Sequence, residues 1–242
     1  PTPSVTMTQN FYTQDLVLLP FDDAVGSSNF TDRAGNTWTA TGNAVMSSAQ
    51  SVFGGISGYF PGSSYISTPG TNGVMSLVSG DFTIECWIYP TSSSSTYIID
   101  KDGRAGNAYA QYRITMEGGV LSAVVAAAGA SSENTMTGST SIVLNTWSHI
   151  AFTRSGNTLY LFLNGNLEKS ITQTITMADS GRPLYVGWES GQSTYFIGYI
   201  DELRIVKGTA LYTSPFIPPQ SAFPLPSPTP TNVTSKSSAA SS

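Results

Sequence analysis

An all-β sandwich of two antiparallel sheets is the fold this sequence predicts, and three observations predict it. Segment 82–89 alternates Phe82, Ile84, Cys86 and Ile88 with Thr83, Glu85, Trp87 and Tyr89, the two-residue period of a half-buried strand. The run Leu159-Tyr160-Leu161-Phe162-Leu163 ends in Asn164-Gly165, a dipeptide that tolerates positive φ and so favours a tight hairpin. Helical periodicity with caps is nowhere persuasive; one turn at most fits 141–144 or the neighbourhood of Tyr212.

Taken in chain order, residues 1–15 are polar and irregular and read as an N-terminal arm. Strands are expected at 16–19, 58–60, 82–89, 96–100, 108–116 and 120–126. A second turn at Ser155-Gly156-Asn157 makes 147–154, 158–163 and 167–175 an antiparallel meander. Further strands follow at 184–188 and 196–206. From Pro215 onward, prolines at 215, 218, 219, 224, 226, 228 and 230 forbid regular sheet and favour extended conformation. Segment 219–242 is therefore a Pro/Ser-rich C-terminal extension. Ordering such a segment is costly in chain entropy, so packing of this arm against neighbouring subunits is expected.

Composition bounds the function. The 242 residues are 40% hydrophobic, enough for a full core in one domain, and only 10% charged, so polar turns of Ser, Thr, Gly and Asn dominate the surface. A net charge of -5 and a pI near 4.7, with no Lys/Arg cluster, exclude a nucleic-acid binder that works by neutralising phosphates. Cys86 is the single cysteine, so neither an internal disulfide nor a cysteine zinc site can form, and it reads as a small buried hydrophobe. No window approaches a membrane span, and the first residues lack the basic start and apolar core of a secretory signal. Nothing resembles a phosphate loop or an ordered Gly-rich fingerprint. His149, the single histidine, alternates with Trp147 and Ala151 along a strand and reads as structural.

The run from Phe196 to Val206 places Asp201 and Glu202 inside an apolar strand. With Leu18-Leu19-Pro20-Phe21-Asp22, Asp81 to Pro90, Trp147 to Arg154, the 159–165 hairpin and Gly208 to Tyr212, it forms an ordered set spanning roughly 16–218. This set resembles the concanavalin A-like lectin/glucanase superfamily, and within it the laminin G-like domains of phage structural and secreted bacterial proteins. The resemblance implies a jelly-roll sandwich with extended arms. It also implies a non-enzymatic virion structural protein, a phage head-decoration or tail-associated protein on the virion exterior, partnered by other subunits or by itself and touching host glycans. The alternative is an extracellular carbohydrate-binding module or adhesin fragment.

Glycosidases of this fold set paired carboxylates on one strand as Glu-x-Asp-x-Glu. Here Glu85 stands alone, and the adjacent Asp201 and Glu202 are expected on opposite faces. The resemblance implies a structural Ca2+ tying the first strand to the last through Asp22, Asp23 and Asp201, since calcium takes hard oxygen ligands. The alternative is that the aspartates cap turns and hold loop amides. Glu85, Trp87, Tyr89, Tyr109 and Tyr112 suggest an aromatic face, with Trp188 a further candidate. That face serves either a protein interface or a glycan.

Overall fold

A computed structural model describes residues 15–70, 75–101, 111–127, 132–174, 176–177 and 181–224. The described residues form fifteen strands and no helix. In chain order these are β1 (Asp15–Leu19), β2 (Thr39–Thr41), β3 (Val45–Ser47), β4 (Ser57–Pro61), β5 (Tyr65–Thr68), β6 (Phe82–Pro90), β7 (Thr96–Lys101) and β8 (Tyr112–Glu117). There follow β9 (Val120–Val125), β10 (Asn134–Ser141), β11 (Ser148–Ser155), β12 (Thr158–Leu163), β13 (Asn166–Thr172), β14 (Leu184–Val186) and β15 (Ile197–Lys207).

Two antiparallel sheets result. The first runs β13-β12-β11-β6-β15-β4-β3, with β1 also pairing to β15; the second runs β10-β9-β8-β7-β14-β5-β2. The expected meander is present as β11-β12-β13. Strand alternation sends Ile84, Cys86, Ile88 and Phe152 of the first sheet against Ile114, Met116, Leu121 and Val186 of the second, all fully buried. Strands β2, β3, β5 and β10 were not foreseen. The first three have three or four residues, too short for a period to register, and β10 (NTMTGSTS) has mostly polar residues facing outward.

β15 is the organising strand. Its first half lies between β4 and β6, its second between β1 and β6. Between the halves, Asp201 pairs with Trp87 and Arg204 with Glu85, so three steps on β15 match two on β6. The extra residue is a bulge, and Glu202 within it has φ of 50°.

After Lys207 the chain does not leave the body. Residues 208–224 form a strap across the outer face of the first sheet; the subunit contacts expected of the 219–242 extension concern a segment of which only 219–224 is described. Thr83 Oγ1 donates to Thr209 O (3.0 Å) and accepts from Leu211 N (2.8 Å), and Thr153 Oγ1 donates to Tyr212 O (2.6 Å). Phe216 N then donates to Gly165 O at 2.9 Å, and Phe223 N to Glu202 Oε2 at 2.7 Å. Gly165 serves two ends: φ of 75° makes the hairpin, and a Cβ there would sit 1.9 Å from Phe216 O. The expected arm at 1–15 lies outside the described residues except for Asp15, which begins β1, and so does the extension from 225 to 242.

Candidate functional site

The expected aromatic face on β6 is mostly occupied by the chain itself. Glu85, expected to be exposed, is completely buried under the strap. It accepts from Arg204 Nε (3.0 Å) and Nη2 (2.5 Å), from Tyr212 OH (2.9 Å) and from His149 Nε2 (3.1 Å). Burial alone would push its pKa up, but the His149 hydrogen bond and the Arg204 charge more than offset this and hold it below the usual range. Tyr212 stacks on Phe216 with ring centroids 3.6 Å apart, closing the lid. Glu85 and His149 are therefore both fully buried within this network. Trp87 and Tyr89 stay half-buried beside the strap, packed edge-on against His149 and Trp147 respectively.

Tyr112 is a correction. It was expected on the same exposed face, but strand β8 points it into the core with Ile114 and Met116, and its hydroxyl donates to Met75 O at 3.0 Å. A tyrosine in an alternating strand carries no mark of which face is inward until its partners are known. Tyr109 lies outside the described residues.

Of the three aspartates named for calcium, two are engaged by protein donors and the third, Asp22, acts on Asp201 through its charge. Asp23 accepts both from Thr31 N and from Thr31 Oγ1, each at 2.7 Å. Asp201 accepts from Val52 N (2.9 Å), Phe53 N (3.4 Å) and Glu202 N (3.0 Å). Among the described residues no three His, Cys, Asp or Glu side chains are grouped to hold a metal. Asp23 and Asp201 thus make the loop contacts that the alternative reading names. The bulge nevertheless keeps Asp201 and Glu202 electrostatically coupled. Burial raises Asp201 to about 8 and Glu202 to about 7, and Asp22 adds to both.

A different region is concave. At the end of the sandwich where β15 begins, the β4–β5, β6–β7 and β14–β15 loops enclose a depression of about 440 Å³. Its wall includes Ser63, Ser94, Ser193 and the ring of Tyr195. A second hollow of about 300 Å³ on the outer face of the second sheet holds Tyr97, Glu117 and Gln192. Both are lined by Ser95 and Thr194, so they adjoin, and the two together are termed the groove.

Trp188 supports this groove from behind. Its ring lies between Tyr65 (4.5 Å, 19°) and Tyr195 (6.2 Å, 10°), with Tyr185 edge-on at 5.2 Å. Trp188 Nε1 donates to Gln192 O at 2.8 Å, and Trp188 pairs with Tyr195 across a short bridge. The sequence reading found Trp188 but missed Tyr195, Tyr97 and Glu117. Tyr195 lies in a loop and follows no period; the hydroxyl-rich 91–95 and 190–195 loops were the available signal.

Two antiparallel sheets packed face to face over a shared core define a lectin-like sandwich. The chain belongs to the concanavalin A-like lectin/glucanases superfamily, whose laminin G family model matches residues 60–211. No curated protein sequence matches. Among solved structures, the binding domain of Paraclostridial Mosquitocidal Protein 1 superposes with a TM-score of 0.62 at 15% identity, covering 81% of this chain and 49% of that one. Domain 4 of AbnA, an extracellular arabinanase of family GH43 from Geobacillus stearothermophilus solved with arabinotriose, gives 0.59 at 20% identity, covering 81% and 93%. The botulinum neurotoxin serotype G binding domain gives 0.59 at 13%, covering 79% and 47%. The chain thus spans about half the length of the toxin domains it matches, and at these identities the likeness is one of fold.

Proposed function

We propose that the chain is a non-catalytic glycan-binding module whose working surface is the groove of Tyr97, Ser95, Thr194 and Tyr195. The observation behind this reading is the junction of two hollows that combine flat rings with clustered hydroxyls. A sugar ring offers an apolar C–H face and a rim of hydroxyls; an aromatic ring covers the first while Ser, Thr and Gln pair with the second. The arabinotriose complex of the AbnA domain, and the dependence of botulinum neurotoxin type C cell entry on two ganglioside molecules, lend support from the same fold.

The test is isothermal titration of arabinotriose and a glycan array against wild type, Tyr195→Ala and Tyr97→Ala. Trp87→Ala and Tyr89→Ala serve as controls on the opposite sheet. The reading requires binding that the groove variants lose and the controls keep. Loss confined to the controls moves the site to the first sheet.

The module belongs, on this reading, to an exterior surface, extracellular or on a virion, where a hydroxyl-rich exterior and a glycan groove have use. Attachment to other virion subunits, or self-association, is read by mass photometry of the full chain against one ending at Pro224. Loss of the larger species on truncation supports it, and monomers in both samples remove it.

A further inference from the structure

Resting on the glycan reading above, we infer that the groove takes uncharged oligosaccharides and rejects acidic ones, with Glu117 as the residue that sets this preference. Among the described residues lining the groove, none is Lys, Arg or His, and the one formal charge is the exposed carboxylate of Glu117. Thr115 Oγ1 donates to Glu117 Oε1 at 3.1 Å and so fixes the carboxylate at the groove wall.

The nearest cation does not reverse this field. Arg113 stands two residues before Thr115 on β8 and is not among the residues lining either hollow. Its guanidinium donates to Glu133 Oε2 and Glu189 Oε1, both at 2.6 Å, and its side chain is only 4% exposed. Asp100, its cross-strand partner, adds a third carboxylate to the same surroundings. The Tyr97 ring, 5.7 Å from the Arg113 guanidinium carbon, covers part of that group. A carboxylated or sulfated sugar entering here meets repulsion from Glu117 and finds, among the described lining residues, no donor fork of the kind that recognises carboxylate. A neutral sugar meets a carboxylate able to accept from two neighbouring hydroxyls. Discrimination is built in as a repulsive element beside an attractive one.

The experiment compares lactose, cellotriose and arabinotriose with 3′-sialyllactose and trigalacturonate, by array and then by titration. It uses wild type, Glu117→Gln and Tyr195→Ala, each at roughly 20 and 500 mM salt, where screening lengths differ severalfold. The readout is the ratio of neutral to acidic affinity. Wild type is expected to prefer a neutral sugar by about tenfold or more at low salt. That ratio is expected to shrink at high salt and again in Glu117→Gln. Acidic sugars bound as well as neutral ones, with binding lost in Tyr195→Ala, would overturn the selectivity and leave the glycan reading intact. A preference insensitive to salt and to Glu117→Gln would remove Glu117 as its source. Absence of binding to every sugar brings down the glycan reading and this inference together.

Discussion

Glu85→Gln is the substitution that most directly probes how the strap is held. The carboxylate is fully buried and, among the described residues, is the charged acceptor within hydrogen-bond distance of the Arg204 guanidinium. Glutamine preserves shape and one acceptor oxygen but removes the charge, leaving the guanidinium only the fields of the more distant Asp15 and Glu202 carboxyls. Removing one partner of a buried pair costs about 3–5 kcal/mol. Arg204 is 14% exposed at its side chain, so partial hydration puts the expectation at the lower end, about 3 kcal/mol. For a chain of this size that corresponds to a fall of roughly 6–12 °C in melting temperature. Urea denaturation of wild type, Glu85→Gln, Arg204→Met and the double variant measures it. The double variant should cost clearly less than the two singles together, because the orphaned charge is gone. A single-variant loss below about 1 kcal/mol, or strict additivity, would show that the pair is hydrated and that the strap does not seal it.

Three other expectations follow from the same geometry. Asp201 and Glu202, raised to about 8 and 7, hold protons in the folded chain that the unfolded chain has released by about pH 4–5. Their effect on stability is therefore most favourable below that range and is lost as pH climbs towards about 8. The melting temperature should fall between pH 5 and 8, and Asp201→Asn should flatten the curve. Chelation should leave the melting temperature unchanged, since among the described residues no three His, Cys, Asp or Glu side chains are grouped to hold a metal; a drop of several degrees on adding EDTA would point to a calcium ion held by Asp22, Asp23 and Asp201. Gly165→Ala should displace the strap through its contact with Phe216 O, seen as faster hydrogen exchange at 209–216 with the β6–β11 core still protected. Unchanged exchange would mean that the strap is not seated on the hairpin.

The alternating segments were legible because burial on one face writes itself into the sequence every second residue. β6 shows this: Ile84, Cys86 and Ile88 face the core as expected, and β11 and β12 follow. The opposite face of β6 was harder to read. Nothing local to Glu85 says that Tyr212, 127 residues later, will cover it, so an exposed site was expected where a buried network stands. The described prolines from 215 to 224 lie outside any strand, but chain without regular sheet can lie on a sheet as well as project from it. The Asp201–Glu202 pair was read by strict alternation, and one inserted residue with positive φ undid that reading. The groove escaped because loops have no period, and Tyr195 gains meaning only from its place beside Trp188.

β15 also sets the direction in which the module points. The groove opens beside Ile197, its first residue, while Asp15, where the described chain enters, pairs with Val206 near its last. At about 3.3 Å per residue the two lie roughly 30 Å apart along one continuous strand. A body attached through the residues ahead of Asp15 would hold the sandwich by one pole and display the groove at the other. The strand then acts as a rigid mast, and neighbouring copies on such a body would offer their grooves side by side to a glycan-bearing surface, where many weak contacts add to a firm grip.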